Sequence, residues 1–273
     1  MFRGFNIERI SKEAFGGLRY QSGCDPNDYL FRVGRNVGEK YKNSIETAIE
    51  AVEQEGRVEI SGNRVEGLCF PHLPFQAFIS HSHSDERVAL ELAGFLKDWC
   101  GIDAFVDSCA WNYRDEIIER IVKVAAGGRR LAADDYLNLY VSVASHIDCM
   151  LNKALISMID ECECLFFLNT PNSIPSTKLG SVTYSPWIYT ELEASRVIRK
   201  RKSDRRPGII KEAFSLDESP YVITYDVRLD HLFTLAPEKV VSWGHDVWNR
   251  NRLGFAALDE LYDLFPIEGE VSQ

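Results

Sequence analysis

The stretch SPWIYTELEAS (185–195) offers the clearest chemistry in this chain. Trp187 and Glu191 are four residues apart, so on a helix they share one face. Ile188, Leu192, Ser195 and Ile198 lie on or beside that face. A carboxylate inside an apolar stripe is costly to remove from water unless something pairs with it. Glu191 is therefore either a group placed for charge chemistry or a rim residue paired with a cation such as Arg114 or Lys178. A second polar cluster, SHSHSD (80–85), follows a short apolar run. His81 and His83 are either hydrogen-bond donors to a ligand or closures of the turn. His146, in SVASHIDCML, is flanked by apolar residues and reads as a core or interface histidine. RVIRKRKSDRR (196–206) carries seven basic residues. It reads as a solvated helix end whose cations suit the negative pole of the macrodipole, with phosphate or partner binding as the alternative.

Other chemistries lack their motifs. There is no G-x-G-x-x-G, no Walker-type G-x-x-x-x-G-K-[ST], no H-E-x-x-H and no G-x-S-x-G. The seven cysteines, Cys24, Cys69, Cys100, Cys109, Cys149, Cys162 and Cys164, are odd in number and form no C-x-x-C pair. They define neither a disulfide framework nor a zinc site, so no metal is expected. Lys and Arg total 31 against 41 Asp and Glu, a net charge of -10. That balance opposes general nucleic-acid binding, which needs basic surface. No apolar run approaches the roughly 18–20 residues of a membrane span, and MFRGFNIERISKEAF lacks the apolar centre of a signal peptide. A cytoplasmic protein without a membrane partner is expected.

The elements that must hold these residues alternate. With 273 residues, the chain suits one α/β domain with an extension, or two small domains. Residues 1–74 read as a mainly helical extension: 41–55 has helical spacing, and RVEIS follows as a short strand. From residue 75 the pattern becomes strand 76–80, helix 85–99, strand 102–108, helix 113–126, a long helical stretch 134–160, strand 164–170, helix 186–202, strand 221–227, a weak strand 239–243 and helix 253–265. CLFFLNT is unbroken apolar, as in a strand covered on both faces. Ser185-Pro186 is a strong helix start. This alternation predicts an α/β, flavodoxin-like fold, with about five parallel strands in the order 2-1-3-4-5 and helices on both faces. Ligands in such sheets sit at the carboxyl ends where the strand order reverses. Here that is between 76–80 and 164–170, beside the loops 80–85 and 169–185.

Three ordered matches resemble the TIR (Toll/interleukin-1 receptor) domain family, over about residues 75–265. The first is AFISHSHSDERVALELAGFLKDW, in which Phe78, Ile79, Ser80, His81, Ser84 and Asp85 fit the end of the first strand and the start of the first helix. The second is Phe105-Val106-Asp107, just before the region called the BB loop. The third is Trp187-x-x-x-Glu191, which carries the catalytic glutamate in NAD-cleaving members. The chain departs from a plain TIR domain in a helical insert at about 110–160 and in its first 74 residues.

The resemblance implies a bacterial-type stand-alone TIR protein, a NAD+ glycohydrolase or ADP-ribosyl cyclase-like enzyme acting in immune or anti-phage signalling. Its catalytic residue would be Glu191. Trp187 would wall the pocket, with Phe78, Ser80, His81, His83, Ser84, Asp107 and Trp111 as further substrate contacts. NAD+ would be substrate rather than cofactor, and the product ADP-ribose or a cyclic isomer. Partners would be further copies or other TIR domains, and a downstream effector. The competing reading is a non-enzymatic scaffold that assembles through TIR contacts. A weaker one is another nucleotide-glycoside enzyme, of nucleoside deoxyribosyltransferase type. The insert is expected beside the pocket mouth.

Overall fold

A computed structural model describes residues 2–11, 14–18, 25–37, 74–106, 108, 114–127, 129–175, 182–198 and 225–267. The expected helix 41–55, the strand RVEIS, and residues 199–206 and 221–224 lie outside them. The chain divides into two compact units: residues 1–37, 74–106 and 159–273 form one, and 38–73 with 107–158 form the other.

The larger unit is built on a parallel sheet of five strands: β1 (Arg3–Glu8), β2 (Ala77–Ser80), β3 (Ala104–Val106), β4 (Cys164–Asn169) and β7 (Phe233–Leu235). Their order is β3-β2-β4-β1-β7. Two further short strands, β5 (Val182–Thr183) and β6 (Tyr225–Asp226), form a separate antiparallel pair. In β4 five consecutive residues from Cys164 to Leu168 are buried. Successive side chains face opposite ways, so both faces of the sheet are covered. The parallel α/β architecture agrees with the sequence, and the first three places run 104–106, 77–80, 164–169 as expected.

The rest of the order differs. The fourth place belongs to β1, from the segment expected to be a helical extension outside the sheet. The fifth belongs to 233–235. Of the expected fourth strand, the described residues Tyr225–Asp226 lie in the antiparallel pair. Mixed polarity hides β1 in the sequence: RGFNIE carries Arg, Asn and Glu in an interior strand. Each is accommodated specifically. Arg3 is buried, with its guanidinium 5.0–5.5 Å from the centres of the Phe2, Phe233 and Tyr262 rings. Its Nη1 donates to the Tyr262 carbonyl at 2.8 Å and to that of Phe265. Asn6 Nδ2 donates to Glu8 Oε1 at 3.1 Å. Gly4 lies where a Cβ would come within 2.4 Å of Leu232.

Seven helices occur among the described residues: α1 (26–37), α2 (Glu86–Cys100), α3 (Arg114–Ala125), α4 (Ala133–Glu161), α5 (Pro186–Val197), α6 (Pro237–Asn249) and α7 (Phe255–Asp263). In α1, Asp25 Oδ1 accepts from Asn27 N and Asp28 N, and Pro26 opens the helix. The expected strand 239–243 is part of α6. Pro237 supplies its start, and Val240, Trp243, Gly244 and Val247 form a buried stripe at helical spacing. Helix α7 follows Arg3's anchor: a cation at the carbonyl end of a helix complements its negative pole.

Helices α1 and α2 pass at backbone contact. A Cβ on Gly34 would lie 1.9 Å from the Leu90 carbonyl oxygen, and one on Gly94 would lie 2.0 Å from that of Leu30. Only glycine permits this approach.

In the smaller unit, α3 buries Ile117, Ile118 and Val122. Arg114 of α3 clamps Asp148 of α4 through Nε and Nη2 at 2.5 and 2.8 Å. The amino-terminal half of α4 exposes Tyr136, Leu137 and Val141, whereas Ile147, Leu151, Ala154, Leu155 and Met158 are buried. The long helical stretch expected at 134–160 is the single helix α4. Among the described residues no helix is long and apolar enough to cross a membrane.

Candidate functional site

The chain leaves β2 toward β3 and returns past it to β4, so the strand order reverses between β2 and β4. Parallel sheets collect ligand-binding loops at this position. A set of polar residues lies at the carboxyl ends of these two strands.

Its deepest member is Glu191. The Ser185 side chain caps α5, accepting from Ile188 N at 3.2 Å, and Pro186 follows in the first turn. That start sets the rotation of the helix, which turns Ile188, Glu191, Leu192 and Ser195 inward together. Tyr189 stacks on Tyr225 with ring centres 4.6 Å apart, tying α5 to β6. Glu191 is fully buried, at 0% exposure. Its Oε2 accepts a 2.5 Å hydrogen bond from the hydroxyl of Ser80, the last residue of β2. Ser80 is itself at 0% exposure. Hydroxyl-to-carboxylate bonds of this length are the strong, charge-assisted kind. One turn further on, Ser195 Oγ donates to the Leu192 carbonyl and lies 2.8 Å from His231 Nε2.

The loop after β2 continues with buried His81 and then a short 3-10 turn, His83–Asp85. Asp85 is buried and faces the loop after β4. It accepts from Thr170 Oγ1 at 2.5 Å and from Asn172 Nδ2 at 2.8 Å. Ser173 completes the second loop, donating to the Leu168 carbonyl at 2.8 Å and accepting from Thr170 N at 2.9 Å. Asp85 therefore brackets the two loops across the reversal point.

Glu191, Ser80 and the start of the 80–85 loop are thus drawn together from positions 111 residues apart in the chain. Trp187 is half-buried at the head of the same helix. Of the cations expected near Glu191, Arg114 bonds Asp148, and Lys178 lies outside the described residues. Phe78 lies in the interior of the sheet. It is fully buried in β2, with its ring 5.5 Å from that of Phe105, and serves the core. His83 and Ser84 are exposed on the 3-10 turn. Asp107 and Trp111 lie outside the described residues. His146 is exposed rather than buried.

The bracket formed by Asp85, Thr170 and Asn172 was not anticipated. Its signal is the abrupt change from an unbroken apolar strand to NTPNS, a run of small hydrogen-bonding residues directly after the strand end. Ser195 with His231 has no such signal, since the two meet only through folding. The buried thiols are unsuited to nucleophilic work. Burial pushes the Cys162 thiol up to about 12 and raises those of Cys100 and Cys164 well above the ordinary thiol value. Among the described residues no three His, Cys, Asp or Glu side chains are grouped to hold a metal.

The chain matches no family model, no curated protein and no solved structure.

Proposed function

We propose that the chain is a TIR-type NAD+ glycohydrolase or ADP-ribosyl cyclase-like enzyme, with Glu191 as its catalytic carboxylate. One observation carries the reading. The Ser80–Glu191 hydrogen bond joins two of the three stretches on which the TIR resemblance rests, at the strand reversal where parallel sheets bind ligands. Leaving of nicotinamide breaks the bond between ribose C1′ and the pyridinium nitrogen, and the bonding pair stays on that nitrogen. Positive charge develops on the ribose, as in glycoside hydrolysis. A carboxylate fixed beside C1′ stabilises that charge. Water then adds to C1′ and releases a proton to give ADP-ribose; addition of an adenine nitrogen gives a cyclic isomer. Trp187 would wall the pocket, and His81 would contact substrate from the other side. A cytoplasmic, self-associating protein with a downstream effector in defence signalling fits this chemistry.

The scaffold reading has one observation in its favour: Glu191 and Ser80 are both at 0% exposure, as a purely structural polar pair would be. Incubating concentrated, assembled protein with NAD+ and identifying products by mass spectrometry separates the two. Release of nicotinamide that Glu191→Gln lowers by about 10²–10³-fold supports the enzyme. Intact NAD+ with both proteins supports the scaffold.

A further inference from the structure

Ser80 closes a strand of the sheet, and its side chain is spent on one partner. The register of β2 against β4 pairs Ser80 with Phe167. Because side chains alternate along a strand, that register decides which face the hydroxyl occupies. The other end of the bond is equally constrained. Glu191 sits on the second turn of a helix whose start is capped by Ser185 and whose flank is stacked through Tyr189 on Tyr225. Thus a hydroxyl on one regular element meets a carboxylate on another at 2.5 Å, with both residues wholly buried.

A serine hydroxyl has a single proton to give. Here it goes to Glu191 Oε2, so none remains for a substrate. We propose that Ser80 is a positioning residue. It holds the Glu191 carboxylate by one oxygen and so fixes the plane and depth at which the carboxylate meets the ribose in the reaction proposed above. This inference rests on that reading. A glutamate side chain has three rotatable bonds, and burial in an apolar stripe does not by itself choose among its rotamers. One donor from the rigid strand end does. Displacement of a catalytic group by about 1 Å can cost about 10²-fold in rate, so an otherwise unremarkable serine acquires leverage on turnover. The sheet end, rather than the helix alone, then defines the site, because β2 supplies the donor.

The test uses the full chain in four variants: Ser80→Ala, Ser80→Thr, Glu191→Gln, and Ser80→Ala combined with Glu191→Gln. Turnover of NAD+ is normalised to folded protein in the same assembly state. Ser80→Ala should lower kcat about 10- to 100-fold while KM stays within about three-fold, the pattern of an interaction needed only in the transition state. Ser80→Thr retains the donor and should recover most of kcat. A packing role predicts the reverse order, since alanine fits the space and threonine adds a methyl group to a fully buried site. If the threonine variant does not fold, the double variant still decides. In the Glu191→Gln background Ser80→Ala should change kcat by less than about two-fold, because residues acting as a unit are not additive. An active wild type whose kcat survives Ser80→Ala overturns the positioning role and leaves the enzyme reading standing. A wild type that leaves NAD+ intact overturns the enzyme reading and the positioning role with it. Urea unfolding midpoints of the same proteins then report what the bond contributes to folding alone.

Discussion

Glu91 and Glu191 are both carboxylates at 0% exposure in the sheet-bearing unit, and the chain compensates them differently. Glu91 lies on α2, the helix that meets α1 at backbone contact. Its partner is local and cationic: Arg87, one turn earlier on the same helix, donates to Oε1 at 2.9 Å. Arg87 reaches out as well, bonding Asp28 of α1 and lying over the Phe31 ring. Glu191 accepts from the Ser80 hydroxyl, delivered from a strand distant in sequence to the reversal point of the sheet. A pair four residues apart on one helix is made by the helix itself and secures packing. A pair assembled across two elements exists only once the fold is complete, and it lies at the strand reversal of the sheet.

The largest expected effect separates the two. Glu191→Gln should cost 10²–10³-fold in NAD+ turnover, about 2.7–4 kcal/mol of transition-state stabilisation. Glu91→Gln should leave turnover per folded molecule unchanged. Equal losses in the two variants would erase the functional half of the comparison.

Next comes the helix crossing. Gly94→Ala would place a methyl group 2.0 Å from the Leu30 carbonyl oxygen, with backbone rather than a flexible side chain in the way. Such overpacking typically costs about 1–3 kcal/mol, so denaturant unfolding should show a loss in that range. An unchanged midpoint would mean that α1 and α2 can separate freely, which would undercut the view of Glu91 as a packing residue.

A smaller loss is expected from Ser185→Ala. It removes the side-chain cap of α5 and should lower stability by about 1 kcal/mol. Because the same cap sets the rotation that aims Glu191, turnover should fall too. Lost stability with full activity per folded molecule would show that the cap does not set that aim.

The smallest effect is a pH slope at Glu91. Burial pushes its carboxyl above the usual value of 4.5, the nearby Asp25 and Asp28 add to the shift, and Arg87 opposes it. A raised value in the folded state means the stability from this group is complete below the unfolded value and declines as pH rises through the folded one. Glu91→Gln should therefore flatten the fall in stability above about pH 4.5, and its advantage over wild type should grow toward neutrality. Urea unfolding at pH 4.5 and pH 7 measures this directly. An identical slope in wild type and variant would assign the pH dependence to other groups.

Local patterns determined much of this protein without the fold. Ser185-Pro186 marked the start of α5, and the four-residue spacing placed Trp187 and Glu191 on it. The apolar runs at 76–80, 102–108 and 164–170 announced parallel strands, whose alternation with helices put the reversal beside the 80–85 loop. These signals are legible because capping, helical period and strand length depend on neighbours in sequence. Tertiary structure decided what depends on partners far away. It took RGFNIE, too polar to read as an interior strand, and made it β1 by giving Arg3 three rings and two carbonyls at the end of α7. It turned KVVSW into α6, because the stripe of Val240, Trp243, Gly244 and Val247 outweighs a short β-prone run. It also brought the Ser80 hydroxyl to Glu191. No spacing in one sequence encodes which strand end will face which helix turn; the pairing of β2 with β4 and the packing of α5 settle it together.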